Sequence, residues 1–255
     1  MTKIDINCDM GESFGPWKMG ADEQVMPHIT SANIACGAHA GDPVVMRHTV
    51  RLARAAGVAI GAHPGFADLQ GFGRRDMSIP HAELEASLIA QIGALAAIAR
   101  AEGVTLRHVK PHGALYNMAA RDRVMSDAIV RAIAAIDRSL ILFGLPGSPM
   151  LEAGRAAGLR VAAEGFADRA YQPDGSLTPR SHTGAVIHDV DAVVARAVRM
   201  ATDGVVLTAS GDEIALSVDT ICVHGDTPGA PELAGRIHEA LRERGVEIAP
   251  IGEWL

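Results

Sequence analysis

Short apolar runs alternate with amphipathic helical stretches along the whole 255-residue chain, and this alternation constrains the fold more than any other feature. Seven of the runs have the length and composition of β-strands. They lie at 3–9, 32–39, 58–63, 106–112, 140–147, 160–168 and 220–226. Strand followed by helix, repeated, is typical of a parallel sheet. We therefore predict an α/β fold, an irregular (β/α) barrel of about seven parallel strands.

Helical periodicity fills most of the segments between the strands. It predicts helices at 43–56, 81–102, 123–136, 149–157, 190–202 and 231–244. Asp42-Pro43 and Ser148-Pro149 are typical helix starts, and Gly57 is a typical helix end. The segment 204–218 has two β-rich runs around a Ser-Gly-Asp turn and predicts a hairpin excursion from the barrel. Because no linker or change of composition interrupts the pattern, we expect one domain over residues 1–255.

Composition narrows the classes of partner. Hydrophobic residues make up 48% of the chain and aromatic residues 4%, which favours aliphatic helices packed on parallel strands over a β-sandwich. The formal charge is −7 and the basic residues are dispersed, so we expect neither a nucleic-acid surface nor a polybasic membrane anchor. The first fifteen residues lack a signal peptide's apolar core, and no later run of about 18 apolar residues is expected to span a bilayer. We expect a cytoplasmic protein that acts on a small molecule.

The chain lacks the local motifs of common nucleotide-binding sites and of serine-hydrolase catalysis. The chain contains no P-loop, no GxGxxG at a helix start and no GxSxG elbow. The cysteines Cys8, Cys36 and Cys222 are widely spaced within apolar runs, which predicts core packing and no disulfide framework. Metal ligands contributed by separate strands would leave no local signature. A bound divalent metal therefore stays open, and its candidate ligands from sequence are Asp9, His39 and His63.

Polar residues cluster where the predicted strands end, as in "HVKPHGALYN" at 108–117. In parallel α/β folds the carboxyl ends of the strands carry the chemistry, so these residues should line one cleft. A lone buried polar residue is more often structural, and that alternative is favoured for Asp5 and His108. The adjacent Arg74 and Arg75 suit a phosphate or carboxylate, with a solvated surface pair as the alternative. The long segment 164–182 is predicted to form a lid or to contact substrate.

Six motifs in this order resemble the LamB/YcsF family of 5-oxoprolinase A subunits over nearly the whole chain. They are "DINCDMGESFG", "ANIACGAHAGD", "GAHPGFADLQGFGRR", "HVKPHGALYN", "EGFADRAY" and "ICVHGD". The resemblance implies a barrel similar to the glycoside hydrolase/deacetylase barrels. It also implies ATP-dependent hydrolysis of the cyclic amide 5-oxo-L-proline to L-glutamate, with ATP converted to ADP and phosphate, in a complex with subunits B and C. Magnesium is expected with the ATP.

The motifs carry the expected site residues. From the residue types we assign catalysis to Asp9, His63, Lys110 and His112, with Lys110 neutralising a phosphorylated intermediate and one of the other three activating water. Binding of substrate or phosphate is expected of Asn7, Glu12, His39, Asp42, Arg74, Arg75, Glu164, Asp168, Arg169, Arg180, His224 and Asp226.

Two alternatives remain open from sequence. One is a metal-dependent deacetylase or amidohydrolase that needs no ATP. The other is a non-catalytic scaffold subunit that supports its partners through the outer helices.

Overall fold

The computed structural model of the chain describes residues 2–180, 182–225 and 229–255. Its strands are β1 Lys3–Met10, β2 Ser31–Ala35, β3 Ala59–His63, β4 His108–Val109, β5 Ile141–Gly144, β6 Val161–Phe166, β7 Val205–Leu207, β8 Glu213–Ala215, β9 Thr220–His224 and β10 Glu247–Ile248. Its α-helices are α1 Asp22–Val25, α2 Pro43–Ala56, α3 His81–Ala101, α4 Gly113–Ala119, α5 Arg123–Ile136, α6 Pro149–Ala156, α7 Val190–Asp203 and α8 Ala230–Glu243. Two short 3₁₀ helices lie at Met26–His28 and Ile251–Glu253.

Seven of these strands close into a parallel barrel. The order is β1-β2-β3-β4-β5-β6-β9, and β9 pairs with β1 from Asp5↔Thr220 to Asp9↔His224. β10 pairs with the start of β1, at Lys3 and Ile4. The barrel strands are almost wholly buried because the interior is filled with side chains and helices cover the outside. The predicted seven-stranded barrel is therefore confirmed.

The lower part of the barrel interior contains hydrogen-bonded polar residues of structural character. Asp5 accepts hydrogen bonds from Thr30, Ser31 and Thr220, and burial raises its pKa to about 6 against those bonds. His108 lies at 2.7 Å from the side-chain oxygen of Asn33. Both residues lie below the strand ends, where sequence reasoning favoured a structural role for them.

Most predicted elements lie within a few residues of their expected bounds. The hairpin is also confirmed, since β7 and β8 pair antiparallel outside the barrel. The predicted strand at 106–112 was too long, because only His108 and Val109 pair with both neighbours. Pro111 and the positive φ of Gly113 (+55°) turn the chain into α4, which the sequence analysis missed.

Helix α3 corrects one expectation about membranes. By length and composition alone, its residues His81–Ala101 could cross a bilayer, and it is the one such helix among the residues that the structure covers. Its apolar face, including Leu84, Leu88, Ile92 and Leu95, is buried against the neighbouring helices α2 and α5 and strand β3. The sequence analysis overlooked this run because its leucines and isoleucines are separated by many alanines.

Candidate active site

The carboxyl ends of the barrel strands meet at one cleft of about 650 Å³. Asp9, His63, Lys110, His112 and His224 all line it, although they come from three strands and the loop after β4. Four of these five side chains are less than a tenth exposed, and that of Asp9 is 11% exposed. The strand-end residues thus share one face, as the barrel geometry required.

Lys110 is enclosed by protein acceptors at the base of this cleft. Its ammonium lies 2.8 Å from Asp9 Oδ1, 2.9 Å from Glu164 Oε1 and 3.0 Å from the Sγ of Cys222. Burial opposes its charge, but Asp9, Cys222 and Glu164 outweigh burial and raise the Lys110 pKa well above its usual value. An ammonium has three protons to donate, so this one is committed to the protein. These contacts place Lys110 to hold Asp9, while its expected role as a direct neutraliser of phosphate stays a prediction.

Asp9 stays ionised in this environment. Its burial favours the neutral carboxyl, yet the neighbouring His63 and Lys110 hold the Asp9 pKa well below the usual range. Asn33 donates a further hydrogen bond of 2.9 Å to Oδ1, which leaves Oδ2 directed toward His63 Nε2 at 3.4 Å. The carboxylate is therefore fixed in orientation with one oxygen toward the imidazoles.

His63 and His112 contact each other through ring nitrogens. The Nδ1–H of His63 donates to the backbone carbonyl of Lys110 at 2.7 Å, and the Nε2–H of His112 donates to the carbonyl of Phe72 at 2.8 Å. The other two nitrogens, His63 Nε2 and His112 Nδ1, lie 2.9 Å apart. Burial and the neighbouring His63 hold the His112 pKa well below its usual value. Phe72, with φ of +54°, adopts a strained conformation that aims its carbonyl at His112.

Glu12 and His39 complete a buried group with these two imidazoles. Glu12 Oε1 lies 3.4 Å from His39 Nε2 and 3.5 Å from His112 Nδ1. The ring of His39 stacks on that of His112 with centroids 3.7 Å apart and planes 1° from parallel. This packing depends on Gly73, since a Cβ there would lie 2.8 Å from His39 Cβ and 2.9 Å from His112 Cδ2. Burial, followed by the neighbouring imidazoles, lowers the His39 pKa well below its usual value.

His224 and Arg180 also line the cleft, and Asp168 contacts His224. His224 Nδ1 lies 2.7 Å from Asp168 Oδ2, while the guanidinium of Arg180 donates to His224 Nε2 at 3.1 Å. Because a guanidinium only donates, these contacts assign the ring proton of His224 to Nδ1. Burial works against the charge of Asp168, but His224 and the nearby arginines lower its pKa. The contacts with Asp168 and Arg180 thus fix the orientation of the His224 ring.

The mouth of the cleft is lined by arginines and by the long segment after β6. Arg74, Arg121 and Arg180 line it, together with residues 172 and 174–180. The guanidinium of Arg169 donates to the carbonyls of Ala185 and Thr178, so this arginine mainly organises the segment. The predicted lid region therefore forms one wall.

Two predicted binding residues, Asp42 and Arg75, have structural partners. Asp42 caps α2 by accepting from Val44 and Val45, and its second oxygen accepts from Gly15, so both oxygens already have structural partners. Arg75 is paired with the buried Asp68, which separates it from Arg74 and from the cleft.

Two further predicted binding residues are buried beside Lys110, and a third lies outside the described residues. Asn7 is buried, donates to Thr220 and accepts from Asn33 and Lys110 beneath the site. Glu164 is fully buried with its Oε1 2.9 Å from the ammonium of Lys110, and it does not line the cleft. Asp226 lies outside the described residues.

The residues able to hold a metal differ from the predicted set. Glu12, His39, His63 and His112 present ligand atoms within 4.8 Å of one another, while Asp9 groups instead with Cys222 and His224. Carboxylate and imidazole donors of this kind suit zinc and other first-row transition ions.

Sequence reasoning missed two residues that shape the site. Cys222 was predicted to pack only in the core, but its Sγ accepts a hydrogen bond from Lys110. Asn33 links His108 to Asp9. Strand alternation could have found both, since each occupies an inward-facing position beside a strand-end residue.

Comparison with known proteins agrees with these motifs and this fold. The model of the LamB/YcsF family matches residues 4–255. The 5-oxoprolinase A subunit of Symbiobacterium thermophilum is 56% identical over 250 residues, which cover 98% of this chain and 96% of that protein. A solved structure, the lactam utilization protein of Thermus thermophilus, is 49% identical with a TM-score of 0.92, over 97% of this chain and 99% of that one.

A distant solved structure bears on the fold alone. The T48 deacetylase with substrate superposes with a TM-score of 0.51 at 12% identity, over 98% of this chain and 88% of that chain. The expected likeness to deacetylase barrels is therefore confirmed at the level of architecture.

Proposed function

Because the chain belongs to the LamB/YcsF family, we propose that it is the A subunit of an ATP-dependent 5-oxoprolinase that converts 5-oxo-L-proline to L-glutamate. The observation that carries the proposal is a single cleft with two chemically distinct parts. Its floor holds a carboxylate beside paired imidazoles, and its mouth holds guanidinium groups. Acid–base chemistry and anion binding are the two requirements of this reaction.

The need for ATP follows from the chemistry of the substrate. A five-membered lactam is a stabilised amide that water attacks slowly. Transfer of the γ-phosphoryl group to the lactam oxygen releases ADP and gives a much better electrophile. Water then attacks the former carbonyl carbon, the C–N bond breaks, and the ring nitrogen takes up a proton. A second water displaces phosphate from the same carbon, so that glutamate is released and the phosphate leaves with the former lactam oxygen.

Arginines at the mouth are the groups we assign to anion neutralisation. Arg74, Arg121 and Arg180 lie around the opening, and a guanidinium can grip a phosphate or carboxylate with two parallel hydrogen bonds. Phosphoryl transfer is largely a matter of position and charge, so this location suits the polyphosphate of ATP. Magnesium would enter with the nucleotide.

The floor of the cleft is the part we assign to proton transfer. Asp9, His63 and His112 lie within one hydrogen-bonded group that lines the cleft. Lys110 acts on this group from below, because its ammonium binds the Asp9 oxygen that faces away from His63. We therefore give Lys110 a positioning role.

Partner subunits B and C complete the proposal. The relatives are named as A subunits, and this chain has no P-loop. Part of the nucleotide or substrate site is accordingly assigned to the partners.

An isotope experiment tests the activation step. The assembled enzyme is supplied with 5-oxoproline labelled with ¹⁸O at the ring carbonyl, together with ATP and magnesium. We expect ¹⁸O in the released inorganic phosphate, since the lactam oxygen accepts the phosphoryl group. Phosphate free of ¹⁸O at full glutamate yield would contradict this route.

The buried Glu12, His39, His63 and His112 favour one second candidate, a metal-dependent amidohydrolase or deacetylase that needs no ATP. Glutamate formation without ATP would support it over the first proposal. No comparable observation favours the scaffold alternative. Burial of these ionisable groups costs free energy, and a scaffold has no need of them. It predicts that cleft substitutions leave the activity of the complex unchanged.

A further inference from the structure

Glu12, His63 and His112 surround a point at which the structure requires a positive species. The backbone carbonyls of Lys110 and Phe72 only accept hydrogen bonds, so each fixes one ring proton on the far side of its imidazole. Two ring lone pairs would then face each other across the 2.9 Å between His63 Nε2 and His112 Nδ1. Either a shared proton or a cation must lie between them.

The third group distinguishes these possibilities. A shared proton needs only two nitrogens, yet Glu12 Oε1 also approaches His112 Nδ1 at 3.5 Å and lies within 4.8 Å of the other ligand atoms. A tetrahedral ion with bonds of about 2.0–2.1 Å separates its ligand atoms by about 3.3 Å. The two contacts to His112 Nδ1, 2.9 and 3.5 Å, lie on either side of that value.

We propose that Glu12, His63 and His112 bind a divalent transition-metal ion, with zinc as the preferred ion, and leave a fourth coordination position open toward the cleft. Two imidazoles and one carboxylate with an open position are typical of catalytic zinc sites. The backbone carbonyls that orient His63 and His112 correspond to the outer-shell acceptors that such ligands require.

His39 is not one of the three ligands. It lies beside the open coordination position of the ion. Its ring is parallel to that of His112, so the two rings cannot both aim in-plane lone pairs at one ion in this arrangement. His39 is 1% exposed, and neither ring nitrogen has a hydrogen-bond partner within the part of the chain that the structure covers. Its Nε2, 3.4 Å from Glu12 Oε1, is placed to contact a water or a substrate oxygen on the ion.

The neighbouring group of Asp9, Cys222 and His224 is a poor site for the same ion. The ammonium of Lys110 already lies 2.8 Å from Asp9 and 3.0 Å from Cys222. A second cation there would be repelled at short range. Asp9 is better placed as a neighbour of the ion, because its Oδ2 lies 3.4 Å from His63 Nε2.

The ion would lower the pKa of a bound water and so supply the nucleophile at neutral pH. The proposal that an ion binds here rests on the geometry alone. The role of the ion in activating water rests on the proposed function. Asp9 is the carboxylate in place to take the proton from that water.

Metal analysis of the untagged chain tests the site without substrate, ATP or partner subunits. The protein is stripped with a chelator, dialysed against zinc and analysed by elemental mass spectrometry and calorimetry. We expect about one zinc per chain, and binding at least ~10-fold weaker in Glu12→Gln and His112→Gln. The control, His48→Gln, changes an exposed histidine on α2 and should bind as the unmodified chain does.

Histidine ¹⁵N spectra of the unmodified protein keep the test decisive if a variant misfolds. Stoichiometric zinc should shift His63 Nε2 and His112 Nδ1 while the two carbonyl-bound nitrogens remain protonated. Zinc far below one equivalent after reconstitution, unchanged affinity in Glu12→Gln, or spectra indifferent to zinc would each overturn the proposal in favour of a shared proton. Because no turnover is measured, a negative result leaves the 5-oxoprolinase proposal standing.

Discussion

Replacing Lys110 by methionine should expose how strongly the site depends on one buried charge. Methionine keeps most of the side-chain volume but removes the ammonium that binds Asp9 at 2.8 Å and Glu164 at 2.9 Å. Two carboxylates would then share a buried space without a cation. Removing one partner of a buried ion pair typically costs about 3–5 kcal/mol. We expect a loss of this size in the free energy of unfolding.

The pH dependence of this loss gives a second signature. In the unmodified chain the lowered pKa of Asp9 stabilises the fold above its unfolded value of 3.8 and is lost only as pH falls through the folded pKa. The raised pKa of Lys110 stabilises the fold below 10.5 and is lost as pH rises through the folded pKa. Both contributions are therefore complete near neutrality. In Lys110→Met the unpaired carboxyls bind protons more readily, so the deficit should be smaller at about pH 5 than at about pH 8.

Urea unfolding of the variant, measured at both pH values, checks these numbers. Lys3→Met is the matched control, because Lys3 forms a half-exposed surface pair with Glu247 and its loss should cost about 0–1 kcal/mol. Adding Glu164→Gln to Lys110→Met should recover part of the stability. A Lys110→Met chain within about 1 kcal/mol of the unmodified one would refute the buried ion cluster.

Three further predictions concern packing, anion binding and acid stability. Gly61→Ala should lose about 1–3 kcal/mol in urea unfolding, because the new Cβ would lie 2.1 Å from the buried histidine ring of β4; an unchanged midpoint would contradict the packing. Arg74→Ala should raise the KM of the assembled enzyme for ATP or 5-oxoproline, whereas Arg75→Ala should act only on stability; equal effects of the two on KM would contradict the division between them. The pKa of Glu102 is lowered to about 2 by hydrogen bonds with Arg51 and a second arginine of α2, so stability should fall as pH drops from 4.5 toward 2, and this slope should be reduced in Glu102→Gln.

The placement of the site was predictable because it follows from topology. Parallel strands bring their carboxyl ends to one side, so the polar residues after β1, β3, β4 and β9 had to converge once the sheet closed. Asp9, His63 and His224 were found in this way. The same rule could not predict the role of each residue. Charge pairing across the barrel depends on the pairing register of strands that are distant in sequence. Lys110 is the example: its partners lie 101 and 112 residues away in Asp9 and Cys222.

The local sequence was equally unable to distinguish the roles of adjacent residues whose side chains point in different directions. Arg74 lines the cleft, while Arg75 pairs with Asp68, although the two residues are adjacent in the loop that follows the left-handed turn at Phe72 and Gly73. Asp42 was identified both as a helix cap and as a ligand residue, and the structure shows the cap. Of the three proposed metal ligands, only His63 was among the sequence candidates, because the ligands come from the ends of three different strands.

Glutamate and ADP formation from 5-oxoproline, by the chain alone and then with subunits B and C at equal ATP and magnesium, tests the proposed function most directly. We expect no useful glutamate release by the chain alone, coupled release of glutamate and ADP by the assembled subunits, and loss of both products in an intact assembly that carries Asp9→Ala. Full ATP-dependent turnover by the chain alone would contradict the need for partners. Glutamate release at the same rate without ATP would contradict the central claim and support the metal-dependent amidohydrolase.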